Sequence, residues 1–427
     1  MSKSFHNEQD IAAHLYEAAK DLRVLKSVAW PGEVREAFLA ANGTKMPVVT
    51  YPDVDTAPAR QHLQDAGVML DGDAPVMEWL RRIHGVLKTQ AEMLDARETR
   101  AFYTHSSTLF GTPQMLMLDG KTQVIELARH IDETLRDLEF ENLVLEGADD
   151  ALTARQFAAE LEPKVAKYFG EDAPNIELSK SLSAKATASS RRIRVRDDAQ
   201  FTQMDVRQLL QHEALIHTAT ALNGKTQNHF PILGSSHMGT TQIQEGLAVF
   251  AEMIAGTMDP KRFRRLADRV IAIDMAAEGA DFIEVYRFFI GQTGDREESF
   301  ENTRRVFRGG VLTGGAPFTK DLVYLNGLLR VHNFLRSVVS LNRADLIRVL
   351  FVGKMDLEDV PAIAELIDNK LIETPRYMPR WAKDLRFVVS YLTYSSFLNR
   401  IKLPGFQGYY KDRLAAVPSV WHFDKPG

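Results

Sequence analysis

Apolar residues along the chain recur mostly at intervals of three and four positions, the spacing that places them on one face of a helix. In the first half this pattern covers residues 8–26, 75–97, 121–139 and 153–169, with turn-rich breaks such as "YPDVDTAPA" and "LFGTPQ" between segments. In the second half it covers residues 203–222, 242–255, 260–276, 319–340, 357–370 and 379–399. The pattern predicts a mostly helical protein.

One stretch follows a different period. In "RRIRVR" the apolar residues alternate with arginines, which predicts a short strand with Ile193 and Val195 on one side. We therefore expect a mostly α fold with a small β-sheet (α+β). This strand could hold an extended peptide by edge pairing, or its basic side chains could form only a solvated face.

We divide the chain into three regions. We expect an N-terminal helical region, residues 1–174, packed on a candidate catalytic region, residues 175–404, and a C-terminal tail, residues 405–427. The chain shows no internal repeat and no low-complexity linker.

The composition of the chain argues against nucleic-acid binding, membrane binding and cysteine-based metal sites. The 427 residues carry 52 basic and 57 acidic side chains, a formal net charge of -5, with no long run of one sign, so we expect neither a nucleic-acid partner nor a membrane partner. The absence of a signal-peptide pattern and of any run of 18 apolar residues favours a cytoplasmic location. There is no cysteine, so any metal must be held by His, Asp or Glu.

The candidate chemistry lies in the segment "LLQHEALIHTATALNG", Leu209–Gly224, which places His212, Glu213 and His217 in an amphipathic helix. Residues five apart on a regular helix diverge by about 140°, so His212 and His217 could not share one ion there. The spacing therefore predicts an overwound helix or a π-type bulge between them. The alternative is that the two histidines are merely neighbours on a partly buried helix.

The ends of this helix are marked by residue types that favour caps. Thr202, with Asp205 three residues later, is typical of an N-terminal capping box, and Asn223-Gly224 is typical of a C-terminal stop.

A third ligand is available in "GTTQIQEGLAVFAEMIAG", a second helix for which Thr241 and Gln244 predict the capping box and Gly256 the end. Gly246 inside that helix suggests that another backbone approaches closely, as two helices sharing a metal require. Glu245 completes a ligand set of two histidines and one glutamate, although an acid in a first turn is also favoured simply by the helix dipole.

The ligand set His212, His217 and Glu245 suits Zn²⁺, which takes nitrogen and oxygen donors and leaves one position for water in catalytic sites. Glu213, beside a ligand but not itself one, is placed to take the proton from the attacking water. We interpret Glu252 as a second-layer partner that orients a histidine, or as an exposed acid.

Four further residues are candidates for binding substrate. Arg305 and Arg308 precede a Gly-Gly turn and could form a fork for a C-terminal carboxylate, or could simply be surface arginines at a helix end. Lys320 and Tyr324 are four residues apart and share a helix face, where they could bind a substrate carboxylate or an oxyanion.

A further cap residue and two further histidines lie near these candidates in the chain. Thr319 is the expected N-cap of the helix that carries Lys320. His229 and His237, on the connection between the two ligand helices, are expected to have surface or structural roles rather than to line the cleft.

Several ordered blocks carry a resemblance to a known family. "HEALIH", "TTQIQEGLAVFAE", "RVFRGG" and "FTKDLVYLNGL", with "KTQAEMLDARETRAFYTHSSTLFGTP" in the first half, resemble the flavohemoglobin expression-modulating QEGLA-motif proteins. The eukaryotic relatives of that family are the microtubule-associated tyrosine carboxypeptidases. The resemblance covers most of the chain from about residue 60 to residue 400.

The resemblance implies a zincin-like metallopeptidase, with an HExxxH active-site helix and a glutamate-ligand helix. By position it implies His212, His217 and Glu245 as zinc ligands and Glu213 as the catalytic acid. The leading hypothesis is zinc-dependent, carboxypeptidase-like hydrolysis near the C-terminal segment of a peptide or protein substrate. The alternatives are a metal-stabilised regulatory or binding protein without catalysis, and hydrolysis of a non-peptide amide.

Overall fold

The computed structural model describes residues 5–136, 138, 151–180, 182, 184–398, 407–408, 410–411 and 413. Helices account for 66% of the structure and strands for 5%, which confirms a mostly α fold with a small β component. Most of the tail predicted at 405–427 lies outside the described residues. The division at residues 174 and 404 stays a prediction.

Among the described residues, eight α-helices precede the sheet. They are α1 His6–Asp21, α2 Val24–Ser27, α3 Gly32–Ala40, α4 Ala57–Met69, α5 Pro75–Asp95, α6 Arg100–Phe110, α7 Val124–Leu135 and α8 Ala154–Phe169.

The first-half pattern located α1, α5, α7 and α8 but missed α3, α4 and α6. The start of α4 lies inside the stretch interpreted as a break, because a proline in the first turn of a helix costs no hydrogen bond and does not end it.

In the part of the chain that the structure describes, ten α-helices follow the sheet. They are α9 Gln203–Leu209, α10 Ala219–Lys225, α11 Met238–Ile254, α12 Pro260–Ala277, α13 Phe282–Thr293, α14 Arg296–Phe307, α15 Leu322–Ser340, α16 Val360–Asp368, α17 Arg380–Lys383 and α18 Arg386–Leu398. A π-helix, Leu210–Thr218, joins α9 to α10.

Helices α13 and α14 were missed although the sequence marks both of their starts. Asp281 caps α13 by accepting from the Glu284 amide, and Asp295 caps α14 by accepting from the Glu298 amide. An aspartate followed three residues later by a glutamate is a recognisable helix start, so this signal could have located both helices.

The strands are β1 Leu152–Thr153, β2 Asn175–Ser179, β3 Ala186–Ala188, β4 Arg192–Arg196 and β5 Gln200–Phe201. The three-stranded sheet has the order β2-β4-β3, with β4 parallel to β2 and antiparallel to β3. Ile193 and Val195 are buried on one side, as the alternation predicts.

The expectation that this arginine-rich strand offers an edge to a peptide is wrong. Strand β4 is the central strand of the sheet and its backbone is paired on both sides, so the two edges of this sheet belong to β2 and β3.

Two apolar clusters form the interior. The larger one joins most of the helices, and the smaller one lies between α8, the sheet and α9, where the rings of Phe157 and Phe201 stack with centroids 4.2 Å apart. Ile216 belongs to the larger cluster, whereas Ala214 and Ala219 belong to the smaller one. The π-helix therefore lies between the two clusters, which buries most of its side chains.

Helix α11 packs closely on α15 through two glycines. A Cβ atom on Gly246 would lie 2.2 Å from the carbonyl carbon of Gly327, and a Cβ on Gly327 would lie 2.2 Å from the carbonyl oxygen of Gln242. The close backbone approach at Gly246 is therefore as predicted, but the approaching helix is α15 and not the histidine helix.

The start of α11 also differs from expectation. The helix begins at Met238 after His237, so Thr241 is not its N-cap; the Thr241 hydroxyl instead donates to the His237 carbonyl at 3.3 Å. Within the described part of the chain, no helix combines the length and the apolar character needed to cross a membrane.

Candidate metal centre

The π-helix changes the directions of the two motif histidines. Its hydrogen bonds run between residues five apart instead of four, so side chains five apart lie one above the other. The imidazole rings of His212 and His217 have centroids 4.8 Å apart, with their planes at 83°. The predicted distortion is present, in the form of the bulge rather than of overwinding.

The cap residues around this segment are partly as expected. Thr202 caps α9 by accepting from the Asp205 amide at 3.1 Å. The expected stop at Asn223-Gly224 is wrong by a residue, because α10 continues to Lys225.

Asn223 and Gly224 have other roles in the packing. The Asn223 amide donates to the carbonyls of Phe351 and Tyr377. A Cβ on Gly224 would lie 2.1 Å from the Leu233 carbonyl oxygen, so only glycine fits this backbone contact.

His212, His217 and Glu245 come together between the π-helix and α11, and we call them the buried triad because their side chains are only 7%, 13% and 16% exposed. The Oε2 atom of Glu245 lies 3.3 Å from Nε2 of His212 and 3.6 Å from Nε2 of His217, and one donor atom from each residue lies within 4.8 Å of the others. Tetrahedral zinc with bonds of about 2.0–2.1 Å places its donors about 3.3 Å apart. The spacing of the buried triad fits such an ion.

Electrostatics at Glu245 also suits a cation. Its Oε2 atom is buried and has no hydrogen-bond partner, which is a costly state for a carboxylate oxygen unless a cation compensates. Burial alone would raise the pKa of Glu245, but His212, His217 and Lys320 hold this pKa well below its ordinary value. The residues present therefore fit a divalent metal ion.

A second layer supports His212. Its Nδ1 atom lies 2.6 Å from Oε1 of the fully buried Glu252, and Arg262 donates to both Glu252 oxygens at 3.1 and 3.2 Å. Glu252 is thus placed as the predicted histidine-orienting partner. Arg262 was not predicted, since no local pattern connects it to a residue on the preceding helix.

These contacts shift the pKa values of both groups. Burial would raise the pKa of Glu252, but Arg262 and His212 lower it to about 2. Burial would lower the pKa of His212, but the neighbouring carboxylates of Glu245 and Glu252 raise it to about 10. Such an arrangement fixes the ring of His212 with Nδ1 directed at Glu252 and Nε2 toward Glu245.

Glu213 is buried, with 6% of its surface exposed, and follows the ligand His212 directly. Lys354, which the sequence analysis did not identify, interacts electrostatically with Glu213 and Glu245. Burial lowers the pKa of the half-buried Lys354 to about 8, while Glu245 and Glu213 act in the opposite direction. No motif or helical pattern marks Lys354, which follows a 3₁₀-helix, Ala344–Phe351.

The two connecting histidines differ. His229 is exposed, whereas His237 is buried with an unpartnered Nδ1 atom. Burial, Arg82 and Lys354 lower the pKa of His237 to about 3, so its ring is neutral.

Lys320 and Tyr324 lie on the other side of Glu245. The Lys320 ammonium is 4.0 Å from Oε1 of Glu245 and 3.8 Å from Asp321, and it stands 5.1 Å from the Tyr324 ring centroid. Burial and Glu245 raise the pKa of Tyr324, but Lys320 and Arg305 outweigh them and lower it. The pair is therefore close to the buried triad.

The expected N-cap role of Thr319 is wrong. Thr319 begins a 3₁₀ turn, Thr319–Asp321, and α15 starts only at Leu322. The Thr319 hydroxyl and amide contact the Ser106 hydroxyl at 2.9 Å, which ties this turn to α6.

Arg305 and Arg308 have different environments. Arg305 donates to both oxygens of Asp321 at 2.5 and 3.0 Å and to the Tyr324 hydroxyl at 3.1 Å. Arg308 is equally buried, but its guanidinium packs over the Phe318 ring and donates to no described residue; its Nε atom is buried and unpartnered. Arg305 is engaged with Asp321 and Tyr324 whereas Arg308 is not, so the two arginines do not form a matched fork.

Comparison with known proteins adds one informative match. A family model described as microtubule-associated tyrosine carboxypeptidase matches residues 36–400. No curated protein matches the chain. Among solved structures, "the putative lipoprotein from Colwellia psychrerythraea" is 13% identical with a TM-score of 0.38, and the alignment covers 78% of this chain and 66% of that one. The family match extends over most of the chain and includes every residue of the buried triad and its surroundings, and the chain belongs to the microtubule-associated tyrosine carboxypeptidase family.

Proposed function

We propose that the protein is a zinc-dependent carboxypeptidase that hydrolyses a peptide bond near the C-terminus of a peptide or protein. The observation that carries the proposal is the buried triad, in which two histidine nitrogens face one unpartnered carboxylate oxygen at 3.3 and 3.6 Å. Zinc bound there would supply a Lewis acid that polarises the scissile carbonyl and acidifies the attacking water.

Glu213 is the proposed general base. It is buried next to a ligand, so it can accept the proton of the attacking water and return that proton to the leaving amine. Glu252, held by Arg262, keeps the imidazole of His212 in the required orientation.

Lys320 and Tyr324 are the proposed stabilisers of the oxyanion. Both are buried beside Glu245, where a positive charge acts more strongly than it would in water. Arg305 donates to the Tyr324 oxygen, which leaves the Tyr324 hydroxyl proton free to be donated elsewhere. In this proposal Arg305 positions Tyr324 and does not contact substrate.

Arg308 is the proposed anchor for the substrate carboxylate. A buried guanidinium without a hydrogen-bond partner is costly, and a carboxylate satisfies two of its donors at once. Burial and the neighbouring Arg305 lower the pKa of Arg308 to about 10, so it remains positively charged at neutral pH.

The contacts of Glu252 argue against a closed, purely structural site. A structural zinc site has four protein ligands, and Glu252 is a carboxylate in contact with the ligand His212. The Glu252 oxygens are engaged with Nδ1 of His212 and with Arg262. These contacts favour a role for Glu252 in orienting His212, and they favour a metal site with one position open for substrate.

The decisive experiment compares Glu213→Gln with the wild-type protein on a library of peptides with varied C-termini, read by mass spectrometry. Removal of the general base should lower turnover by about 10²–10⁴-fold while bound zinc stays at the wild-type level. His212→Ala serves as the control that should lose both zinc and turnover. Wild-type turnover by the Glu213→Gln protein would refute the proposal.

A further inference from the structure

A second group of metal-type side chains lies away from the buried triad. His14 on α1 and His62 and Asp65 on α4, here called the rim triad, offer donor atoms that lie within 4.8 Å of one another. The Nδ1 atoms of His14 and His62 are 3.2 Å apart. We propose that the rim triad is a second metal site, which takes a divalent transition-metal ion of the Zn²⁺ class and ties α1 to α4.

The positions of the three residues suit a shared ion. His62 and Asp65 are three apart on α4, so they share a helix face, and His14 reaches them from the adjacent helix. Histidine and carboxylate ligands three apart on a helix are a known metal-binding arrangement in helical bundles. The distance of 3.2 Å between the imidazole nitrogens is close to the donor spacing of about 3.3 Å that tetrahedral zinc requires.

The donor chemistry narrows the choice of ion. Two imidazoles and one carboxylate suit Zn²⁺, Ni²⁺ or Cu²⁺ better than Ca²⁺ or Mg²⁺, which prefer oxygen donors. One Asp65 oxygen already accepts from the Gln61 amide at 2.9 Å, which orients the carboxylate and leaves its other oxygen available.

The rim triad stands at the edge of an apolar contact. Ile11 and Leu15 on α1 and Leu63 on α4 are buried in the larger cluster, whereas His14, His62 and Asp65 are half-buried. An ion held there would bind the folded arrangement of α1 and α4 only, and would stabilise that arrangement in proportion to its occupancy.

One residue of the rim triad lies outside the range of the family match. His14 precedes residue 36, where the match begins, while His62 and Asp65 lie inside it. The site would therefore join a helix outside the matched range to one within it, and it takes no part in the proposed hydrolysis.

The test is a zinc titration of the metal-stripped full chain by calorimetry, with thermal unfolding of the same samples. The wild-type protein should bind about two Zn²⁺ per chain, and His62→Gln and Asp65→Asn should each bind about one and lose part of the zinc-dependent rise in Tm. His6→Gln, an exposed histidine on the same helix, is the matched control and should bind about two.

Each outcome decides the proposal. Equal stoichiometry for the wild-type, His62→Gln and Asp65→Asn proteins would mean that the two rings only share a hydrogen bond, and the proposal would fall. Peptidase activity separates this result from the proposed function, because activity depends on the buried triad and should be unchanged in both rim variants.

Discussion

The buried triad and the rim triad have nearly the same donor types and spacing but opposite surroundings. Donor atoms approach to 3.3 and 3.6 Å in the buried triad and to 3.2 Å in the rim triad. The fully buried Glu252 and its partner Arg262 support the buried triad, whereas among the described residues only Gln61 supports the rim triad. Donor spacing therefore indicates where an ion fits, and the surroundings indicate whether the ion can do chemistry.

The physical reason is the local dielectric. Charges in a buried, water-poor site interact more strongly, and ligands held by a second layer keep one orientation. The rim triad is half-buried, and a neutral amide orients one of its three ligands, so its expected contribution is to stability. Three substitutions sharpen this contrast, and they are ordered by the size of the expected effect.

The largest effect concerns Arg308, the proposed anchor for the substrate carboxylate. Arg308→Met should lower kcat/KM for peptides with a free C-terminal carboxylate by about 30-fold or more, because truncating one side of a buried charge pair costs at least about 2 kcal/mol. The same peptides with C-terminal amides should be cleaved equally by wild-type and variant proteins. Steady-state kinetics on matched acid and amide peptides measures both effects.

Arg308→Lys is the conservative control and should recover part of the lost rate on the acid peptides, since it keeps the charge without the planar fork. An equal loss on acid and amide peptides would show that Arg308 is structural.

The next effect tests the second layer. Glu252→Gln should weaken zinc affinity and kcat by about 10–100-fold, because the amide cannot act as an anionic partner for Nδ1 of His212 and for Arg262. Competition with a chromophoric chelator measures the affinity.

The matched control for this change is Gln61→Ala, which removes the partner of Asp65. It should leave kcat unchanged. If Glu252→Gln and Gln61→Ala were equally mild, the contrast between the two triads would fail.

The smallest expected effect concerns the packing that places Glu245. Gly246→Ala adds a Cβ that would meet Gly327 at 2.2 Å, so α11 must shift from α15, which should lower the free energy of unfolding by about 1–3 kcal/mol. Because Glu245 is the adjacent residue, zinc affinity at the buried triad should fall as well. Urea unfolding and zinc titration measure the two effects.

Gly85→Ala is the control within a helix, since a Cβ there meets no atom within 4 Å. It should raise stability by about 0.5–1 kcal/mol through the better helix propensity of alanine. A stable Gly246→Ala protein with normal zinc affinity would show that the α11–α15 contact is tolerant.

Local pattern predicted those features that depend on neighbours in the chain. Periodicity located ten helical segments, alternation located β4, and Thr202 marked the start of α9. The five-residue separation of His212 and His217 predicted the distortion that the structure shows as a π-helix, because helix geometry relates spacing directly to direction.

Other features were hidden because they join residues far apart in the chain. The pairing of Arg305 with Asp321 left Arg308 as the available cation, and the partner of Gly246 proved to be Gly327 on α15. No local sequence pattern predicts that Lys354 interacts with Glu245 and Glu213. No local pattern predicts the contact between His14 and His62 either.

The sequence by itself thus determined the helix-rich fold, the residue types for a metal site without cysteine, and the need for a bulge between the two histidines. Only the tertiary structure decided which charges are paired, which carboxylate supports His212, and which helices touch. The reason is that hydrogen bonds along a helix depend on residues within one turn, whereas burial and ion pairing depend on packing between elements separated by tens or hundreds of residues.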